Sequence, residues 1–493
     1  MPSFAKKNMR YLILFSTFLI SINLTIAQYN SPNNSLNWNL DSLVKYSSGA
    51  IIKNATNYQV LQDVLISATD TISINQNERI EFAFDIELEI QGSLIINPTD
   101  SVVITAIDST QLYKPLRFDG SNSSYFNKCI IEYGGGFNVL NSNFTIENSE
   151  FRYNADGSSG AIDLFRSNLI IRNNYIHDNV GPAISSGANI ASAPQIISNR
   201  IVNNVSGGSN KSQINFGTSG NDTIKILKNT IIGSHTNAGG IAVLAIGSFQ
   251  AQIDSNLINN NRYGIAILSS PSHTIISRNT ITDNDIQNNP NLGGSGINFN
   301  GNSNNKAIIS ENTISGNLWG ITIQGTAKPN IGNLRSSDYN IGKNYFGSNG
   351  NGGNLYNIYN NTPDSIFAQN NRWEAANLTA LENTISHKVD NSSLGYVLYT
   401  PVFQLITALP SLSKAADNFI IYPNPSSGLV NLAVPEFVNA FTLYIRDISG
   451  RIIHQKMLQN EKRNTVNIDG LPGVYFVELI FGQERRIQKV VIQ

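Results

Sequence analysis

One ten-residue phrase constrains this chain more than any other feature. Ile-Ile-Arg-Asn-Asn-Tyr-Ile-His-Asp-Asn at 170–179 returns as Ile-Ile-Ser-Arg-Asn-Thr-Ile-Thr-Asp-Asn at 275–284 and as Ile-Ile-Ser-Glu-Asn-Thr-Ile-Ser-Gly-Asn at 308–317. Looser copies run from 128 to 371, each with an asparagine in one register: Asn174, Asn199, Asn229, Asn256, Asn279, Asn312, Asn344 and Asn371. Ser149 and Lys128 take that register earlier, which gives steps of 21 to 33 residues. Five residues on, a second column holds Asn154, Asn179, Asn204, Asn261, Asn284, Asn317 and Asn349, with Ser234 filling its gap. Gly-Ile-x-apolar stretches follow at Gly240, Gly264, Gly296 and Gly320.

Short strands at this period predict a parallel β-solenoid, each turn laid over the last at about 4.8 Å. Like residues then stack along the axis, and stacked Asn side chains hydrogen-bond from rung to rung as a ladder. Alternation puts Ile265 and Ile267, or Ile321 and Ile323, in the core, with Ala266 and Thr322 outside. A propeller blade needs a longer period of about 40–50 residues, and a helical solenoid needs a 3.6-residue periodicity that is absent. The phrases resemble right-handed parallel β-helix repeats, the architecture of pectate-lyase-like proteins, over residues 63–375. The handedness comes from that resemblance. Alternating segments at 80–84, 88–96 and 102–106 read as the first rungs, and residues 28–62 as a lead-in that caps the N-terminal edge.

The repeat accounts for a composition that otherwise argues against regular structure. Asn makes up 70 of 493 residues, although it is a poor former of helices and strands. Its density falls from 46 of 244 residues in 128–371 to 7 of 76 in 418–493, which marks a domain boundary. Residues 376–416 are the expected linker and 417–493 a second domain. There, turn signals at Tyr422-Pro423-Asn424-Pro425, Gly428, Asp447, Gly450-Arg451 and Gly473 separate short strands, as in a small Ig-like β-sandwich. These residues, with Tyr475 and the terminal Lys489-Val-Val-Ile492, resemble the C-terminal sorting domain of type IX secretion substrates. That resemblance implies the type IX secretion machinery as partner and passage through the outer membrane, to the cell surface or the medium.

The N-terminus agrees with export. Lys6, Lys7 and Arg10 precede an apolar stretch from Tyr11 to about Leu24, and cleavage is expected between Ala27 and Gln28. No later segment is long and apolar enough to span a bilayer, so no transmembrane span is expected in the mature chain. Residues 28–417 hold 22 Lys+Arg against 28 Asp+Glu, a net of −6. A nucleic-acid partner is therefore excluded on charge. The single Cys129 excludes a disulfide framework, and its strand position reads as a buried structural thiol. The chain is expected to act as a monomer.

Catalytic motifs are absent: there is no Gly-x-Ser-x-Gly, His-Glu-x-x-His or phosphate loop. Charge concentrates in the early rungs, where register places Arg152 beside His177. Glu132, Asp178 and Asp283 share the next position, and Asp163 faces out from its strand. As β-helix enzymes commonly act on polysaccharides, Arg152, Asp163, His177 and Asp178 are the catalytic candidates for a lyase or hydrolase. The same residues also read as a solvated face with cross-strand ion pairs. No cofactor and no metal are expected; Asp283-Asn284-Asp285 offers oxygen donors for calcium but lacks the glycine and spaced carboxylates of a known loop. Long connections at 233–239 and 283–295 leave one corner of the solenoid, where binding loops are commonly carried. The favoured reading is a non-catalytic exported β-helix binding a polysaccharide or surface glycan. The alternative is a polysaccharide lyase or glycoside hydrolase working in a groove.

Overall fold

The computed structural model describes residues 28–406, apart from 156–158 and 269–270, and residues 419–493, apart from 434–439, 460–463 and 482–483. The expected signal cleavage site at Ala27 lies at the edge of the undescribed residues. The chain forms two compact units that divide after Thr407.

The first unit is a parallel β-helix. Most turns contribute one strand to each of three long sheets, of 14, 12 and 15 strands, here called first, second and third in the order the chain visits them; the third also holds the antiparallel pair Ile51–Asn54 and Asn57–Val60. A typical turn has strands Ile162–Phe165, Ile170–Arg172 and Tyr175–His177, paired in parallel with Ile184–Ser186, Gln195–Ile197 and Arg200–Val202 of the next. Inside the third sheet Phe151, Ile176, Ile201, Ile231, Ile258, Ile281, Ile314, Phe346 and Trp373 form one continuous buried row. Such a row is what a strict two-residue alternation repeated in register must produce.

The corner between the second and third sheets is two residues long in most turns. Its first residue is left-handed in turn after turn: Asn148, Asn173, Ser198, Lys228, Ser255, Arg278, Glu311, Lys343 and Asn370 have φ between 49° and 59°. That conformation disfavours non-glycine residues by about 1 kcal/mol each, so hydrogen bonding at the corner has to offset it. The second residue is the column asparagine. Asn174 donates through its backbone N–H (2.9 Å) and its side-chain Nδ2 (3.0 Å) to Oδ1 of Asn199, and through Nδ2 to the Ile146 carbonyl (3.0 Å). The same bonds link Asn199, Asn229, Asn256, Asn279, Asn312, Asn344 and Asn371 in sequence. Each link satisfies buried backbone groups that a tight corner would leave unpaired.

Three sequence expectations change here. Ile130 pairs with Glu150, so Cys129, not Lys128, occupies the column; its N–H donates to Ser149 Oγ at 3.0 Å. Ser234 is exposed and does not fill the gap in the second column. That gap is closed by Gln213, which reaches in from the first sheet. Residues 376–406, read as the start of a linker, are paired chain: Ile385–Ser386 extends the first sheet and Gln404–Ile406 the third. Residues 407–416 lie outside the described residues.

Both ends of the core carry a short helix. The helix α1 (Leu40–Tyr46) is capped by Asn39 and buries Leu40 and Leu43, and α2 (Leu378–Glu382) is capped by Asn377 and buries Leu381. Parallel pairing already begins in the lead-in, where Tyr29 pairs with Val64.

The second unit has a three-stranded and a four-stranded antiparallel sheet. Val430, Leu432 and Val466 of one share a core with Leu443, Ile445, Val477 and Leu479 of the other, a small sandwich. Its turn residues are tied down. Asn424 accepts from the Val491 N–H and donates to the Lys489 carbonyl, Asp447 pairs with Arg451, and Arg446 pairs with the buried Glu478 at 2.8 Å.

Candidate binding face and the charged early rungs

The four catalytic candidates divide. Arg152 and His177 are register partners on the outer face of the third sheet, and Asp178 follows at the corner. Asp163 faces out from the first sheet, where it accepts from the Ser185 hydroxyl. Glu132 pairs in register with Arg152 and not with Asp178, because its turn is shifted by one residue, as at Cys129. Tyr133 takes the next position, stacked on Tyr153 with centroids 5.4 Å apart.

The cluster is a connected chain of ion pairs and hydrogen bonds. The Arg152 guanidinium spans Glu132 and Glu150, both at 2.8 Å. His177 Nε2 lies 2.9 Å from the same Glu150 oxygen, and its Nδ1 lies 2.7 Å from Asp178. Tyr175 stacks on the imidazole at 3.9 Å and carries Arg200 beside its own ring. Around the corner on the second sheet, the Arg172 guanidinium and then the Tyr125 hydroxyl hold the Glu147 carboxyl below the usual carboxylate range. Each acid of this group already faces a cation or an imidazole, the pattern of a cross-strand ionic face. Among the described residues no group of three or more His, Cys, Asp or Glu is placed to hold a metal ion.

A different set of residues meets on the first sheet. The long connections around 205–211, 233–238 and 283–294 all leave the corner between the third and first sheets. Arg262 ties them together, donating to Asn210 (3.1 Å), Gln287 (2.8 Å) and the Leu292 carbonyl (2.6 Å). Beside the 283–294 loop stands Trp319, whose Nε1 donates to the Pro290 carbonyl at 3.0 Å. Its ring packs against Tyr356 at 4.7 Å and stacks on Tyr359 at 5.4 Å, and all three rings are half-buried.

Tyr359 continues an outward row along the sheet, in register with Thr322, Asn298, Ala266 and Ala242. Ala242, Ala266 and Thr322 are each only 5 % exposed, so this row lies low between its neighbours. The Asn298 side-chain oxygen is buried with no hydrogen-bond partner among the described residues. The aromatic trio was not legible from the repeat: Trp319 and Tyr356 lie 37 positions apart and meet only because consecutive turns stack.

Two family models match the chain. Residues 420–493 match the one described as a secretion system C-terminal sorting domain, and residues 235–379 match one described as a protein of unknown function, DUF1565, a family of parallel β-helix type. No curated protein matches the chain. No helix among the described residues is long and apolar enough to cross a membrane. The chain is a parallel β-helix protein with a C-terminal type IX sorting domain, exported to the cell surface or beyond.

Proposed function

We propose that this exported β-helix is a non-catalytic glycan-binding protein that takes its ligand across the first sheet, beside the loops at 233–239 and 283–295. The observation that carries this reading is the half-buried aromatic group Trp319, Tyr356 and Tyr359, set where the 283–294 loop meets the outward row of the sheet. Sugar rings present apolar C–H faces that pack on aromatic rings, while their hydroxyls pair with amides and hydroxyls. Gln324, on the strand of Trp319, and the exposed Asn300, on the strand beside it, supply those groups. Trp319 and Tyr359 sit on strands and not on a free loop, which suits a preformed site.

Affinity electrophoresis of the mature protein through gels containing polysaccharides tests this. Retardation of the parent and its loss in Trp319→Ala/Tyr359→Ala are expected, and so is loss when both loops are deleted. Equal retardation of parent and variants would place the ligand elsewhere.

A further inference from the structure

The chemistry of this face also selects a class of ligand. Six successive strands of the first sheet, Ser212–Phe216, Gly239–Val243, Ile265–Ile267, Ser295–Gly301, Trp319–Gly325 and Ile358–Asn361, contain no charged residue. The turns leading from four of them to the second sheet, at 244–248, 268–271, 302–304 and 326–327, contain none either. Chance does not favour this, since 14 % of the chain is charged. Earlier strands of the same sheet do carry Glu89, Arg117, Asp119 and Asp163. The second sheet carries Lys225, Asp254, Lys306 and Lys328 alongside the uncharged stretch.

On the loop side the nearest charges point the same way. Arg262 is held by Gln287, Asn210 and the Leu292 carbonyl, so its donors serve the loops. Lys211 already has a partner of its own, and Asp283 and Asp285 add negative charge to that corner. A polyanion approaching the face would meet a domain of net −6.

We infer that the face takes a neutral polysaccharide, not a uronate-bearing or sulfated one. The chain would lie along the solenoid axis, with a sugar ring against Trp319 and Tyr359 and its hydroxyls on Asn300 and Gln324. Consecutive rungs, about 4.8 Å apart, repeat the same small-residue row and so present a track for a polymer. This inference rests on the glycan-binding reading of the same face.

The test is retardation of the mature protein in gels containing a neutral β-glucan, a mannan, polygalacturonate, alginate or a sulfated galactan, at low salt and at about 0.5 M salt, where charge interactions are largely screened. The expected result is retardation by a neutral polymer that salt leaves unchanged. Retardation should fall at least tenfold in Trp319→Ala/Tyr359→Ala, and by a smaller factor in the exposed-site variant Asn300→Ala, which leaves the core untouched. Salt-sensitive retardation by the acidic polymers alone would overturn the neutral class while leaving glycan binding standing. Retardation by none of the five would overturn both.

Discussion

Gln213 joins two halves of one hydrogen-bonded row. Its Oε1 accepts from the backbone and side chain of Asn204, both at 3.2 Å, and its Nε2 donates to Asn261 Oδ1 at 2.9 Å, 48 residues along the chain. The row then runs through Asn284, Asn317, Asn349 and Asn357 to the Thr384 hydroxyl. One turn lacks the asparagine, and a longer amide from another sheet bridges the space.

Gln213→Ala should therefore destabilise the solenoid by about 2–3 kcal/mol, because it leaves buried amides on both sides without partners. Ser234→Ala, at the position that register alone selects, should change stability by less than about 0.5 kcal/mol. Urea unfolding of the two variants checks this through the midpoint at constant slope.

Gly264 shows why glycine stands before isoleucine at 240, 264, 296 and 320. A Cβ there would lie 2.4 Å from the Gly296 carbonyl oxygen, 2.6 Å from Ile281 Cγ2 and 3.3 Å from Asn284 Nδ2. The glycine lets the chain turn into the first sheet across the asparagine row without a clash. Gly264→Ala should cost about 2 kcal/mol through overpacking. Gly208→Ala, whose Cβ would meet nothing within 4 Å, should cost less and act only through its positive φ. Thermal unfolding of both variants separates the two.

Cys129 is buried, and that burial pushes its thiol up to about 12. The thiolate is the reactive form. In folded protein at pH 8 the thiol should stay unmodified by a disulfide reagent over hours, and react within minutes in denaturant. Rapid labelling of the folded state would contradict the packing of the first rungs.

Asp70 holds the lead-in against the solenoid. Its carboxylate accepts from the backbone N–H of Asn33, Asn34 and Leu36 at 3.0, 3.1 and 2.9 Å. Burial works to raise its pKa, but hydrogen bonds from Ser31 and from these N–H groups outweigh it, and the group lies below the usual carboxylate range. A lowered folded-state pKa means that the stabilisation is complete above the unfolded value of about 3.9 and is lost as pH falls through the folded value. Hydrogen exchange over residues 29–38 should stay slow at pH 5–7 and speed up below about pH 4. Asp70→Asn should show the fast rate throughout.

How much of this was legible depended on whether partners shared the period. The Asn174-to-Asn371 row and the inward Ile265 and Ile267 recur at the same step, so sequence alone located them. The turn at 129–132 reads one residue off in sequence because its column holds Cys129, which gives no asparagine to align, and that slip separates Glu132 from Arg152. Gln213 was missed because it joins the row from another sheet. A third row, in which the Ser121, Ser142 and Ser167 N–H groups donate to Ser142, Ser167 and Ser192 Oγ, went unseen because serine is common in every turn. The strands after 376 were missed because a single end-capping turn has no copy to compare with. The aromatic trio follows from stacking, not from spacing.

The central claim is that the asparagine excess builds the solenoid. Asn256 donates to Asn279 and to the Ile226 carbonyl and accepts twice from Asn229, all between 2.8 and 3.0 Å. Asn291 is exposed in the 283–294 loop. The most direct measurement is the urea midpoint of Asn256→Ala beside that of Asn291→Ala. A loss of about 3 kcal/mol for the first and no measurable change for the second is the predicted result. Equal midpoints would contradict it.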